Sequence, residues 1–436
     1  MADSRDRTSV ADTLSLQPEV RWRAGHLTIT DPWRWIDPAA LALFLNAGLF
    51  KADPRLAWAP VDLTLAGLVL IGLLAVRRVV FAREGIPRRI GWFVLWFALL
   101  AIPVLWTRWT PYSSEKVARL FTLTLGVALF SPILIRNRDA IWRLLICLAS
   151  VGALLMLDAL RQIVSDPVAY AAQLRLVAAS ANTIGLGRSV GTLIVVLAVV
   201  GARASARRAP LAWGAAGLGT VVLFAAGSRG PIVAAALAAL LGVLLASGFT
   251  ARTAGRLTGL LAVLAAAATV GWTLMPSSSA DRLFRFVQYG FSDAAGNQSA
   301  ADRPRFWADA LRYSRSEPGG LGWGAFTQLP ISGNSEDRYP HNLWIELALE
   351  AGWLASLATL AITLVAFVRA VAFAQSSDGV AGGALAALLL FGMTNASVSG
   401  DVNDNRILFA LICVTICAPL PGAELDAEVK DERHAG

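Results

Sequence analysis

Long apolar runs, separated by short polar and arginine-bearing segments, dominate the chain from residue 35 onward. A helix needs about 20 apolar residues to cross roughly 30 Å of hydrocarbon, and runs of that order recur about twelve times. They fall at 35–50, 60–76, 89–107, 116–135, 140–160, 184–202, 208–226, 229–248, 254–275, 342–369, 378–398 and 405–420. The pattern predicts an all-α integral membrane protein with these as its transmembrane helices. Residues 1–34 are expected to be an N-terminal tail, 35–275 helices one to nine, and 276–341 one long extramembrane loop. Residues 342–420 complete the bundle with helices ten to twelve, and 421–436 form a C-terminal tail. The polar first 34 residues hold no short apolar stretch with a cleavage site, so the first spans are expected to act as uncleaved signal anchors.

Composition agrees with the pattern. The chain is 56% hydrophobic and 16% charged, where a soluble domain carries about 25% charged residues. Runs such as AAALAALLGVLLAS and GVAGGALAALLL are rich in small residues, which let helices approach closely in lipid. No tandem or inverted repeat of the kind that marks many transporters is visible.

Orientation follows from the placement of arginine and lysine in short loops. With the N-terminus inside, the cytoplasmic segments hold Arg77, Arg78, Arg83, Arg88 and Arg89, then Arg136, Arg138 and Arg143, then Arg203, Arg207 and Arg208. The outer loops are poorer, with Lys51, Arg55, Arg108, Arg161, Arg175 and Arg229. Both termini are therefore expected in the cytoplasm, with the 276–341 loop outside. The net charge of +8 is accounted for by this topology and by anionic inner-leaflet lipid, so it does not call for nucleic acid. Cys147, Cys413 and Cys417 all lie inside apolar runs and read as small buried hydrophobes.

Topology brings four polar elements to the outer face. They are Asn182 to Arg188, Gly227-Ser228-Arg229-Gly230-Pro231, Arg303-Pro-Arg305-Phe-Trp307 and Pro340-His341-Asn342. Arg229 sits in a tight turn at the membrane edge, where a charge is costly unless it is paired or wet. It reads either as a snorkelling side chain or as an anion ligand, aided by Ser228 and by the N-terminus of the next helix. Residues 302–316 are expected to form a short amphipathic helix with Phe306, Trp307, Ala310 and Leu311 on one face, Trp307 lying at headgroup depth. His341 reads either as a helix-end cap or as a base for a hydroxyl. His26 and His434, the other two histidines, lie in the tails. Asn342, Glu346 and Glu350 are expected on one face of span ten, with the two glutamates paired to arginine. No paired-aspartate, HExxH, GxSxG or Walker motif is present on this face.

GSRG at 227–230, RPRFW at 303–307, PGGLGWGAF at 318–326 and HNLWIELALEAG at 341–352 together resemble the O-antigen ligase/polymerase family. The resemblance is strongest over about 220–355, the earlier spans matching only in hydrophobicity. It implies a polytopic bacterial inner-membrane glycosyltransferase that uses a polyprenyl diphosphate-linked glycan on the periplasmic side, without a metal ion or cofactor. It further implies that Arg229 and Arg303 bind the donor diphosphate and that His341 activates or positions the acceptor. Arg305, Arg188, Ser228, Asn342, Trp307 and Glu346 are expected to support substrate binding. The acceptor is a glycan or lipid A core, according to whether a member is a polymerase or a ligase; protein hydroxyls, a third class, fit less well with the modest outer loop. The competing reading is a transporter or flippase for an anionic lipid-linked glycan. Against it stand the absence of repeats and the gathering of charge at the outer edge rather than through the midplane.

Overall fold

In a bilayer every backbone polar group must find a partner inside the protein, which selects helices. A computed structural model of the chain describes residues 31–51, 53–58, 61–165, 183–248, 250–277, 280–281, 284, 298–330, 339–375 and 379–419, with backbone only at 298–302. Asn182, His26 and His434 lie outside the described residues, as does most of the expected 276–300 stretch. Among the described residues the regular structure is helical throughout.

In chain order the helices are α1 (Trp33–Asn46), α2 (Leu63–Phe81), α3 (Ile90–Trp106), α4 (Pro111–Leu134), α5 (Arg138–Ser165), α6 (Thr183–Arg203) and α7 (Ala209–Ala225). They continue as α8 (Arg229–Ser247), α9 (Ala251–Leu274), α10 (Gln298–Ser316), α11 (Leu343–Glu350), α12 (Trp353–Ala374), α13 (Gly379–Ala396) and α14 (Arg406–Cys417). Eight of them (α2, α4, α5, α6, α8, α9, α12 and α13) are long and apolar enough to cross a membrane. The chain is a multi-pass membrane protein. Leu65, Leu73, Trp92 and Leu105 are exposed, as lipid-facing side chains of a bundle should be.

α6, α8 and α13 form the inner layer, with α5, α7 and α12 packed around them. Small residues set the spacing. A Cβ built on Gly152 of α5 would lie 2.2 Å from the Ser189 carbonyl oxygen of α6, so any side chain there would force the two helices apart. The bundle has two distinct ends. At the end where α1 begins and α2 finishes, Arg78 pairs with Asp37 at 2.5 Å and with Glu84 at 3.0 Å, and Arg136 reaches Glu84 at 3.3 Å. There too, Arg89 and Arg369 donate to carbonyls at the C-terminus of α14. The other end gathers the irregular segments.

One expected element divides in two. The apolar run 342–369 is not a single span: it breaks after Glu350, and only α12 is long enough to cross. Gly352 makes the break, with φ +88° and ψ 163°, a region of backbone space open almost exclusively to glycine. Its N-terminal neighbour α11 therefore stays at the bundle end. The glycine-rich stretch folds against this break, Leu321 N–H donating to Leu349 O at 2.9 Å and Trp353 N–H to Pro318 O at 3.0 Å. Hydropathy alone missed the break because the residues on both sides of it are apolar. A Cβ on Gly352 would stand 2.7 Å from the Gly319 carbonyl carbon. Gly352→Ala is accordingly expected to destabilise the detergent-solubilised protein by about 2–3 kcal/mol, measured by thermal unfolding.

Candidate functional site

The centre of the polar end is a segment that joins α13 to α14, residues 397–405. Asp401 caps its one helical turn, accepting from Asn403 N–H and Asp404 N–H at 2.9 Å each. Ser397, Val398 and Ser399 still donate their N–H groups to carbonyls at the end of α13, but the carbonyls of the segment that are buried must be satisfied from elsewhere. Side chains from four helices, α4, α6, α10 and α11, hold the segment. Arg188 of α6 donates from Nη2 to Ser399 O at 2.8 Å and from Nη1 to Asp404 O at 2.9 Å. Arg303 of α10 donates from Nη1 to Val398 O at 2.6 Å. Trp344 of α11 donates from Nε1 to Ser397 Oγ at 2.9 Å. From α4, Thr124 donates to Asn403 Oδ1 at 3.0 Å, and Asn403 Nδ2 in turn donates to Lys116 O at 3.1 Å.

The tight turn before α8 meets the same segment. Gly227 has φ +65°, and Ser228 stands at the N-cap of α8 with Arg229 as the first helical residue. The Ser228 hydroxyl donates to Thr183 O at 2.6 Å, so its proton is committed to α6 rather than turned to an anion. The turn and the start of α6 interlock, since a Cβ on Gly187 would lie 3.0 Å from Pro231 and 3.1 Å from Ser228. A Cβ on Gly230 would lie 3.0 Å from Val398 Cγ2. Val398 thus touches the turn that carries Arg229 with its side chain and receives Arg303 with its carbonyl.

α10 has the expected amphipathic face. Phe306 and Ala310 are buried, Phe306 meeting Phe326 edge-on at 5.6 Å, while Arg305 and Arg312 are exposed. The helix begins earlier than expected, at Gln298, so that Pro304 lies inside it. Trp307, one turn beyond Arg303, is half-buried and donates from Nε1 to Pro340 O at 2.8 Å. One face of α10 therefore holds both the 397–405 segment and the residue preceding His341. His341 has φ +57°, an unfavourable conformation for a side chain with a Cβ, and its ring meets Tyr339 edge-on at 4.6 Å. Asn342 is the N-cap of α11, its Oδ1 accepting from Trp344 N–H at 3.1 Å and Ile345 N–H at 3.2 Å. Burial holds the Tyr339 phenol above its usual range, with Asp404 and Asp401 adding to the effect. Burial, with Asp404 beside it, also pushes the Asp401 carboxyl up to about 6.

Four expected elements thus converge, through Arg188, the 227–231 turn, Arg303 with Trp307, and His341. Glu346 does not join the accessible part. It and Glu350 are fully buried, and the expected arginine partner is replaced by a lysine: Lys116 Nζ lies 2.6 Å from Glu346 Oε1 and 2.5 Å from Glu350 Oε2. Only a slim, unbranched side chain reaches this enclosed position, between the rings of Tyr112 and Trp323 at 5.7 and 5.8 Å. The sequence carries a signal for it. The chain has three lysines, and Lys116 alone begins an apolar run. Neither Tyr339 nor the 397–405 segment stood out, although SGDVNDN interrupts two apolar runs with two carboxylates. Among the described residues, no group of three or more His, Cys, Asp or Glu is arranged to hold a metal ion.

A multi-pass helical membrane protein with arginines and one histidine gathered around a buried loop at one bundle end is the class these observations define. Residues 214–360 match the family model described as O-antigen ligase, a stretch that contains the 227–231 turn, α10, the glycine-rich segment and α11. Over this part of the chain the protein is thus similar to the O-antigen ligase family. Comparison with curated proteins finds no match.

The left-handed backbone at His341 gives a direct check on the site's construction. His341→Gly should be more stable than His341→Ala by about 1 kcal/mol, because glycine alone relieves the strain. Thermal unfolding of the two purified variants reads this difference.

Proposed function

We propose that this protein transfers a polyprenyl diphosphate-linked oligo- or polysaccharide to an acceptor hydroxyl during assembly of a cell-surface polysaccharide, as a ligase or a polymerase. In this reading twelve spans place the site at the periplasmic face of the bacterial inner membrane, with residues 276–341 outside. The observation that carries the proposal is the meeting of Arg303 and the Arg229-bearing turn at Val398. Two arginines carried by neighbouring elements, one of them opening a helix whose N-terminus favours negative charge, suit a diphosphate by charge and by their capacity for paired hydrogen bonds.

The chemistry asks little more. The acceptor oxygen attacks the anomeric carbon, the bond from that carbon to the phosphate oxygen breaks, and the polyprenyl diphosphate leaves with the electron pair. The hydroxyl proton passes to the His341 imidazole, which acts as general base. A diphosphate is a weak base and leaves without a strong general acid, so stabilising its charge is the main task. Arg188 is occupied by Ser399 and Asp404 carbonyls, and in this reading it shapes the loop that faces the donor. Arg305, exposed beside Arg303 on α10, adds charge at the entrance.

Arg229→Ala and Arg303→Ala should each lower transfer by about 100-fold or more while the protein stays folded in membranes. The assay uses purified protein with lipid-linked glycan and acceptor, and full activity in both variants would refute the site. Direct in-line attack inverts the anomeric carbon. The new linkage should therefore have the configuration opposite to the donor's, as read by nuclear magnetic resonance of the product.

A further inference from the structure

Lys116 takes no part in the chemistry above, yet it is among the most enclosed charges in the protein. Its side chain and those of Glu346 and Glu350 are all 0% exposed. A buried charge needs close compensation, and here two carboxylates face one ammonium. With both ionised, the cluster keeps a net negative charge in an enclosed site. One oxygen of each carboxylate, Glu346 Oε2 and Glu350 Oε1, is buried and accepts no hydrogen bond from the described residues.

The two glutamates are not equivalent. Glu350 Oε2 accepts from Lys116 at 2.5 Å and also from Gly324 N–H at 3.0 Å. Glu346 Oε1 has Lys116 at 2.6 Å but only a longer contact, 3.4 Å, from Val402 N–H. The charged and titratable groups acting on Glu346 are Lys116 of α4, Glu350 on its own helix, and Asp401 of the 397–405 segment. Tyr112 of α4 lies beside Lys116. Two of these groups are carboxyls that oppose a charge on Glu346. Burial pushes the Glu346 carboxyl upward in the same direction.

The cluster also has reach. Lys116 grips the 397–405 segment twice, through Glu346 to Val402 N–H and through its own carbonyl to Asn403 Nδ2. Four residues before Val402 lies Val398, whose carbonyl receives Arg303. We propose that Lys116 is a positioning residue for the donor-binding arginines, acting through Glu346 held as a neutral acid and Glu350 held as its counter-ion. This rests on the transferase reading for its functional half. The protonation pattern stands on the buried cluster alone.

The test uses the full chain in detergent and the variants Glu346→Gln, Glu350→Gln and Lys116→Met. Glutamine mimics a neutral glutamic acid, so Glu346→Gln should shift the unfolding temperature by no more than about 2 °C, whereas Glu350→Gln and Lys116→Met should lower it by about 5 °C or more. Transfer kinetics supply a readout that general destabilisation does not move. Folded Lys116→Met should raise the donor KM about tenfold, through misplacement of Arg303, and leave the acceptor KM unchanged. If Lys116→Met does not fold, Asn403→Ala removes the grip on the Lys116 carbonyl, together with the Thr124 contact on α4, and should raise donor KM about threefold.

A Glu346→Gln variant as damaged as Lys116→Met would overturn the neutral-acid assignment. An unchanged donor KM in folded Lys116→Met, or in Asn403→Ala where that variant replaces it, would overturn the positioning role. Wild-type protein with no transfer at all would count against the proposed function, and the unfolding comparison of the two glutamine variants would still decide the protonation pattern.

Discussion

A single buried ammonium fixes the polar end of this bundle. Lys116 joins α4 to α11 through two carboxylates, and those carboxylates accept from the backbone of the glycine-rich stretch at Gly324 and of the inter-helix segment at Val402. Two helices and two pieces of irregular chain that share no sequence periodicity are thereby referred to one point. Apolar contact could not do this. Dispersion and burial are non-directional, whereas an ion pair in a dry site is sensitive to displacement of a few tenths of an ångström. The apolar bundle supplies the platform, and the cluster sets the geometry of what stands on it.

The two ends of the molecule use arginine differently, although composition shows only an excess of one residue type. At the end defined by Asp37 and Glu84, arginines meet carboxylates or close the C-terminus of α14, and their role is to anchor the ends of helices. At the site end Arg188 and Arg303 bind carbonyls of a loop. The same residue type thus ties helix ends together at one end of the bundle and holds a loop in place at the other.

The helical class, the membrane setting and most helix positions were legible in the sequence, because apolar length is a property of each segment alone. The motifs of the turn at Arg229, the Arg303–Trp307 helix and His341 were legible as well, and the structure brings their surroundings together at Val398 and Pro340. The division of α11 from α12 was not, since it depends on the backbone of Gly352 against Gly319. The partner of Glu346 and Glu350 could not be assigned from sequence either, although Lys116 stands out there at the start of an apolar run. It lies more than two hundred residues away, and only the three-dimensional fold makes a lysine its neighbour. The Ser228 hydroxyl and the Asn342 amide read as ligands in sequence, yet both satisfy helix backbone.

The way the 397–405 segment is held has a consequence for how such a site can diverge. Its contacts with Arg188 and Arg303 are made through the carbonyls of Val398, Ser399 and Asp404. Main-chain atoms are the same in every residue type, so this grip leaves side-chain identity at those positions largely free. Length is another matter: one residue added or removed would rotate each carbonyl away from its guanidinium. The segment is thus constrained in register where guanidinium groups hold it, and in residue type only where its own side chains act, at Asp401 and Asn403 above all.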